Sequence, residues 1–105
     1  MRPPEAPALL LVAAHLPAMS AMPRRFLAAR RAERALRGLP GCALVHRWVS
    51  RRSILLTSWW ADAGAAQAAL GAPEVQALLD LVRRTPGADV WTAVYVAAAR
   101  EGPQT

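Results

Sequence analysis

The feature that most constrains this chain is that its strand-like segments are apolar on both faces. The stretch from Ala8 to Leu16 (ALLLVAAHL) has His15 as its one polar side chain, and Val90 to Ala98 (VWTAVYVAA) is nearly as apolar. Successive residues of a strand point to opposite faces of a sheet, so such strands need cover on both sides. The sequence therefore favours a sheet that is buried between two layers.

Two further strands and three helical segments complete the pattern. Residues 42–51 and 54–60 favour strands, the second of them rich in β-branched and aromatic side chains, joined by a short hairpin. Helical segments are predicted after Ser20, at 63–70 and from Pro73 onward. Apolar residues recur at helical spacing in the first and last of these segments, at Met22, Phe26, Ala29, Ala32, Leu36, Val75, Leu78, Leu79 and Val82.

Capping residues predict where the helices begin and end. Ser20 is the predicted N-cap of the first helix and Asp62 that of the second, because their side-chain oxygens can accept hydrogen bonds from backbone N–H groups. Gly38 is predicted to end the first helix. Gly71 is predicted to interrupt the second helix before Pro73 restarts it.

The order strand, helix, strand, strand, helix, strand predicts an α+β fold of the ferredoxin-like βαββαβ type. Right-handed crossovers place all strands in one antiparallel sheet, with the third strand beside the first and the helices on one face. The other face would be apolar and uncovered, and a second copy of the chain is its simplest cover. We therefore expect one domain over residues 8–99, assembled as a homodimer, between tails at 1–7 and 100–105.

Net charge limits the kinds of binding partner to expect, and cysteine content limits the disulfides and metal sites. The formal net charge is +6, and every basic residue is an arginine. Six of them crowd the first helix: Arg24, Arg25, Arg30, Arg31, Arg34 and Arg37. We interpret them as a solvated helix face rather than as a phosphate-binding patch. Cys42 is the only cysteine, which excludes an intramolecular disulfide and a CxxC metal site.

Neither a membrane nor a nucleic acid is the expected partner. Residues 8–16 are too few to span a bilayer and no clear signal-peptide cleavage site follows, so we expect a cytoplasmic protein. RNA-recognition domains share the βαββαβ topology, but their third strand carries glycine and paired aromatic residues. The segment from Arg52 to Trp59 (RSILLTSW) lacks that signature.

The stretch from Ile54 to Leu79 (ILLTSWWADAGAAQAALGAPEVQALL) joins a strand ending in paired tryptophans, an acidic helix cap, an alanine-rich turn and an amphipathic helix. It resembles the antibiotic biosynthesis monooxygenase superfamily of dimeric α+β barrels, and the element order extends the resemblance over residues 8–98. The resemblance implies a pocket between sheet and helices in each protomer. Members of the superfamily include cofactor-free oxygenases of polycyclic phenols, haem-degrading oxygenases, and relatives that cyclise or isomerise polyketides.

The resemblance also assigns individual positions. Trp60 falls at the family's characteristic strand-three tryptophan, and Trp59 takes the neighbouring aromatic position. Haem-degrading members carry a histidine ligand in the second helix, where this chain has Leu79, and Ala69 fills another position where relatives carry histidine. We therefore expect no cofactor, with haem as an alternative that lacks its usual ligand.

Four side chains are the predicted catalytic residues: His15, His46, Trp60 and Tyr95. A neutral histidine can orient a phenol or accept its proton, which is the role predicted for His15. The alternative for His15 is a hydrogen-bonded histidine in the core or at the end of a strand. His46 could be a second acid or base, or could lie at the dimer seam. Tyr95 could donate a hydrogen bond to a substrate oxygen.

Aromatic side chains are the predicted substrate-binding residues: Phe26, Trp48, Trp59 and Trp91. Trp59 and Trp60 are consecutive and must point to opposite faces of the sheet, one toward the helices and one toward the partner sheet. The indole of Trp60 could stack on a flat ring, with plain core packing as the alternative.

For two further residues of the second strand, the sequence predicts which face of the sheet they occupy and whether they are buried. Alternation places Cys42 on the same face as Leu44, His46 and Trp48, as a small buried hydrophobe. Arg47 falls on the other face, where it could meet an acidic or enolate group, although exposure at the surface is the favoured expectation.

The leading functional hypothesis is a small tailoring enzyme of secondary metabolism. It would be a cofactor-independent monooxygenase of the antibiotic biosynthesis type, acting on an aromatic or polyketide-like hydrophobic substrate whose own carbanion reduces oxygen. A polyketide cyclase or isomerase on the same scaffold would need the same acid–base residues but no oxygen. The same fold would also suit a haem-binding monooxygenase or a non-catalytic dimer that binds a ligand.

Overall fold

The computed structural model describes residues 6–97, which form four strands and three α-helices. In chain order these elements are β1 (Ala8–His15), α1 (Met22–Arg37), β2 (Cys42–Val49), β3 (Ser53–Trp60), α2 (Ala63–Leu70), α3 (Pro73–Arg83) and β4 (Asp89–Val96). The predicted elements are confirmed, with small shifts at their ends. Residues 1–5 and 98–105, which include most of the predicted tails and the end of the predicted 8–99 domain, lie outside the described residues.

The four strands form one antiparallel sheet in the order β2-β3-β1-β4. The third strand lies beside the first, as predicted, and β2 and β4 are the two edges. Buried residues from all three helices join alternate residues of β1 in a single core cluster, so the helices share one side of the sheet. The predicted ferredoxin-like βαββαβ fold is therefore confirmed.

The pairing register gives the sheet two faces. We call the side that packs on the helices the helix-covered face, and its central residues include Leu10, Val12, Leu56 and Trp60. We call the other side the open face. Its residues lie in four rows across the strands: Ser53–His15–Asp89, Trp48–Leu55–Ala13–Trp91, His46–Thr57–Leu11–Ala93 and Leu44–Trp59–Leu9–Tyr95.

The helix-covered face is sealed by the apolar stripes that the sequence predicts. The buried stripe residues are Ala29, Ala32 and Leu36 of α1 and Val75, Leu78, Leu79 and Val82 of α3. Trp60 is 1% exposed, and its indole N–H donates to the Ser58 hydroxyl at 2.8 Å. A buried N–H without a partner would destabilise the fold, so this bond allows the largest core side chain to stay dry.

The two predicted helix caps have different outcomes. Asp62 caps α2 as predicted, because its carboxylate accepts the backbone N–H of Ala65 at 2.8 Å. The predicted Ser20 cap is wrong. Residues Met19–Ala21 already form a turn of 3-10 helix, and Ala21 has helical angles (φ −81°, ψ −9°) where α1 begins. A capping side chain needs extended backbone at its own residue, which this helical entry does not provide.

The predicted face of Cys42 is also wrong. The register of β2 shifts between Cys42 and Leu44, so that one extra residue stands opposite β3. This β-bulge places Cys42 opposite Trp60, where it packs against the core. Gly41 precedes it with a φ of +87°, a conformation that favours glycine.

Arg47 is half-buried against an acidic group, which is the alternative to the surface exposure that the sequence favours. It lies on the helix-covered face of the edge strand β2, and its guanidinium donates to the carboxylate of Glu33 on α1. The guanidinium carbon lies 4.9 Å from the centroid of the Phe26 ring. An edge strand lets a long side chain reach the flank of the covering helix, and Glu33, which is 7% exposed, supplies the buried partner.

Candidate functional site

The open face carries most of the residues that the sequence singles out. Four large aromatic side chains are exposed there: Trp91 (60%), Trp48 (55%), Tyr95 (54%) and Trp59 (45%). Both histidines, His15 and His46, lie on the same face and are exposed. Solvent-exposed apolar area of this extent on one face marks an interaction or ligand-binding surface.

A cavity of about 440 Å³ opens at one end of this face. Its lining residues are Ala13, Ala14, His15, Ser53, Ile54, Leu55, Asp89 and Trp91. Because Ala14 and Ile54 direct their side chains into the core, they border the cavity through their backbone. The volume falls within the range of about 300–1,000 Å³ that is typical of small-molecule pockets.

Among the residues that line the cavity, His15 lies next to the hydroxyl group of Ser53. Its Nδ1 lies 2.9 Å from the Ser53 Oγ, and Asp89 flanks it on the other side in the same row. When Nδ1–H donates to Ser53, Nε2 carries the lone pair and can accept a proton. In that tautomer the arrangement places an oriented base at the rim of an apolar cavity.

Three hydrogen bonds around the hairpin turn fix the position of the His15 row. The hairpin after β2 is closed by the Ser50 N–H, which donates to the Ser53 carbonyl at 2.9 Å. The Leu16 N–H donates to the Arg52 carbonyl at 2.6 Å, and the Arg52 guanidinium donates to the Pro17 carbonyl at 3.2 Å. The end of β1 is thus tied to the hairpin turn, which holds His15 beside Ser53.

Two predicted tryptophans border this region. Trp91 lines the 440 Å³ cavity. Trp48 lines an adjoining cavity of about 220 Å³ that shares Ser53 and Leu55 with it. The Trp48 indole N–H donates to the Thr57 hydroxyl at 2.9 Å, which restrains the ring. The two cavities together form a groove across the first two rows.

Three other predicted residues lie elsewhere on the open face. His46 is in the third row, with its ring centroid 5.7 Å from that of Trp48. Trp59 and Tyr95 are in the fourth row, six residues along the strands from the His15 row, or about 20 Å at the usual rise per residue. The structure therefore does not bring them into the cavity beside His15.

Trp60 and Phe26 lie on the opposite side of the sheet from the cavity. Trp60 is enclosed in the core with Ser58, and Phe26 packs against the core beneath Arg47. The resemblance implied a pocket between sheet and helices, but the 440 Å³ cavity lies on the open face instead. Side chains such as Trp60 and Leu78 fill the space beneath the helices.

Ser53 and Asp89 are site residues that the sequence did not reveal. Each is an ordinary polar residue at the first position of a strand, without a motif around it. Only the pairing of three strands shows that they flank His15. The hairpin prediction placed Ser53 in the link and began the strand at Ile54, so it gave no signal for the contact with His15.

The described residues can also be compared with what a metal ion or a haem would need. Within residues 6–97 there is no group of three or more histidine, cysteine, aspartate or glutamate side chains placed to hold a metal ion. Leu79, at the position of the haem ligand in haem-degrading relatives, is 2% exposed in the core and has no donor atom. These residues do not fit haem in the family's usual position.

No helix in the described part of the chain combines the length and apolarity needed to cross a membrane.

The comparisons with known proteins rest on structure. Neither a protein-family model nor a curated protein matches this sequence. A candidate antibiotic biosynthesis monooxygenase from Nitrosomonas europaea superposes with a TM-score of 0.74 at 13% identity, covering 97% of this chain and 100% of that one. Another from Deinococcus radiodurans gives 0.69 at 23% identity, with 89% and 94% covered.

SnoaB from Streptomyces nogalater, a cofactor-independent oxygenase, gives a TM-score of 0.66 at 14% identity, covering 92% of this chain and 98% of SnoaB. At identities this low, such similarities establish the fold. The resemblance to the antibiotic biosynthesis monooxygenase superfamily is thereby confirmed at the level of the fold.

Proposed function

We propose that this protein is a cofactor-independent oxygenase of secondary metabolism that binds a flat, apolar aromatic substrate on the open face. The observation that carries the proposal is the pairing of His15 with Ser53 at the rim of the 440 Å³ cavity. The fold shared with SnoaB supports the same class of reaction. A cytoplasmic location and a role in antibiotic or polyketide biosynthesis are part of the proposal.

His15 accepts the proton whose loss converts the substrate into a resonance-stabilised anion. Once the open face is covered, the apolar cavity holds little water and keeps this anion reactive toward O₂. The carbanion transfers one electron to O₂, and the two radicals combine in a C–O bond to give a peroxide anion. His15 returns its proton to this anion, and loss of water from the resulting hydroperoxide leaves a carbonyl. The net change converts CH₂ and O₂ into C=O and H₂O, so the substrate supplies all the electrons.

The remaining side chains of the groove bind the substrate. Trp91 offers the face of an exposed indole on which a flat ring can stack, and Leu55 and Ala13 form an apolar floor. His46 and Tyr95 are proposed polar partners farther along the same face, for a substrate that extends beyond the first two rows.

A second copy of the chain covers the open face in this proposal. Four strands of eight residues give a face of roughly 500 Å² at the usual strand spacing and rise. Covered on both copies, it approaches the roughly 1,000 Å² expected of a specific interface. Such cover would remove the four exposed aromatic side chains from water and close the cavity.

The test is oxygen uptake by the purified protein with a panel of anthrone-like phenols. The proposal expects uptake together with a carbonyl product, and both should disappear without oxygen. No uptake across the panel would contradict it. Product formed at the same rate under anaerobic conditions would instead identify a cyclase or isomerase, and a Soret band on haem titration would contradict the cofactor-free chemistry.

A further inference from the structure

A second cluster of polar side chains lies on the helix-covered side of the sheet, between α1 and the edge strand β2. A cavity of about 300 Å³ is lined there by Arg30, Glu33, Arg34, Arg37 and Arg47. Four guanidinium groups face one carboxylate, which leaves an excess of three positive charges. The sheet separates this cavity from the one beside His15, because His15 and Arg47 point to opposite faces.

Glu33 holds two of these arginines in place. It is 7% exposed, and one of its carboxylate oxygens accepts from Arg37 at 2.6 Å while the other accepts from Arg47. Arg47 is held further by Phe26, whose ring centroid lies 4.9 Å from its guanidinium carbon. Groups that are fixed before a ligand arrives lose less conformational entropy on binding.

Arg30 and Arg34 complete the positive rim. Within residues 6–97, neither forms an ion pair with a carboxylate. Glu74 lines a neighbouring groove with Arg34 but does not pair with it. Both arginines are exposed and lie one helical turn apart on α1, so both can turn toward a ligand in the cavity.

The sequence alone favours a solvated helix face for Arg30, Arg34 and Arg37, but their convergence with Arg47 on one cavity changes that interpretation. We propose that this cavity binds a phosphoryl group, either as free phosphate or as the phosphomonoester of a larger ligand. The planar fork of a guanidinium matches the oxygens of a phosphate in pairs, and a dianion offsets most of the excess charge. A single carboxylate would offset only one of the three charges. The proposal is independent of the oxygenase chemistry, which lies across the sheet.

The first experiment follows thermal unfolding of the full chain with two probes, inorganic phosphate and phenyl phosphate, against chloride at equal ionic strength. The unfolding midpoint should rise with both phosphates, because a ligand that binds only the folded state stabilises it. A larger rise with phenyl phosphate identifies a phosphomonoester as the preferred ligand, and an equal rise identifies free phosphate. No rise above that in chloride would overturn the proposal.

Matched double variants locate the binding. Arg30→Gln with Arg34→Gln removes two exposed charges from the rim, and Arg24→Gln with Arg84→Gln removes two exposed charges elsewhere. Titration followed by ³¹P NMR should show binding weakened about tenfold in the first and unchanged in the second. Equal weakening in both would overturn the site. Single-stranded RNA serves as a further probe. If RNA binds more tightly than phosphate and its binding is weakened equally in both variants, the arginines are a general polyanion surface and the proposed site is overturned.

Discussion

Trp60 and Trp59 are neighbours in β3, yet Trp60 is 1% exposed on the helix-covered face and Trp59 is 45% exposed on the open face. The difference extends to the whole sheet. One face is filled by three helices, and the other presents exposed aromatic rings, both histidines and the 440 Å³ cavity. One face therefore supplies most of the packing that stabilises the fold, and the other is available for the binding and chemistry that we propose.

Two serines of β3 show the same contrast at the level of single bonds. Ser58 accepts the indole N–H of Trp60 at 2.8 Å, so that a bulky core residue has a satisfied donor. Ser53 lies 2.9 Å from Nδ1 of His15 beside the cavity. The same hydroxyl group supports packing on one face and orients a titratable ring on the other.

The largest expected effect is on the free energy of unfolding, when each of the two adjacent tryptophans is replaced by alanine. Trp60→Ala should lower the free energy of unfolding by about 3–5 kcal/mol, since it opens a cavity in the core. Trp59→Ala should change it by about 1 kcal/mol or less in dilute protein, where no partner covers the open face. Urea unfolding of both variants measures the difference, and equal losses would show that the two faces are not distinct.

The second-largest expected effect is on kcat, when the histidines of the open face are replaced one at a time. His15→Gln should lower kcat for oxygen uptake by about 100- to 10,000-fold, because it removes the base. His46→Gln, in a different row, removes a proposed polar contact to the substrate and not the base, so it should raise KM and lower kcat by no more than about 10-fold. Similar losses in both variants would contradict the placement of the chemistry at the His15 row.

Ser53 should have a smaller effect on the same reaction as a positioning residue. Ser53→Ala removes one neutral hydrogen bond, so kcat should fall by about 2- to 10-fold. Ser53→Thr keeps the hydroxyl and should restore the rate and the pH profile of kcat. If Ser53→Thr and Ser53→Ala behave alike in both readouts, the hydroxyl does not orient His15.

The smallest effect concerns the thiol of Cys42. Burial raises its pKa above the usual 9.0, and this outweighs the lowering by a hydrogen bond from the Leu44 backbone and by the charge of Arg37. Less thiolate is therefore present at pH 8, and alkylation by iodoacetamide should be slower than for the urea-unfolded chain. Equal rates would place Cys42 on the open face, as simple alternation predicts.

Local patterns in the sequence predicted much of the fold. Alternation, helical stripes and the Asp62 cap depend on neighbouring residues, and they gave the element order and the burial of the helix stripes. The β-bulge that turns Cys42 inward depends on pairing with β3, which alternation does not contain. The Ser20 cap failed for a related reason, because the chain is already helical before α1 begins.

The candidate site was predicted less completely than the fold. His15 and Trp91 could be named from residue type, but Ser53 lies 38 residues from His15 and joins it only through the register of β1 and β3. Glu33 is a case where a signal existed. It falls four residues after Ala29 on the buried stripe of α1, and a charge at such a position requires a partner.

Sedimentation equilibrium of the purified chain tests most directly whether the open face is covered by a second copy. We expect a particle of twice the 11.3 kDa chain mass at micromolar concentration. Trp59→Ala should shift this equilibrium toward the single chain, since Trp59 lies on the covered surface. A particle of one chain mass over the whole micromolar range would contradict the proposed cover, because the cavity beside His15 would then stay open to water.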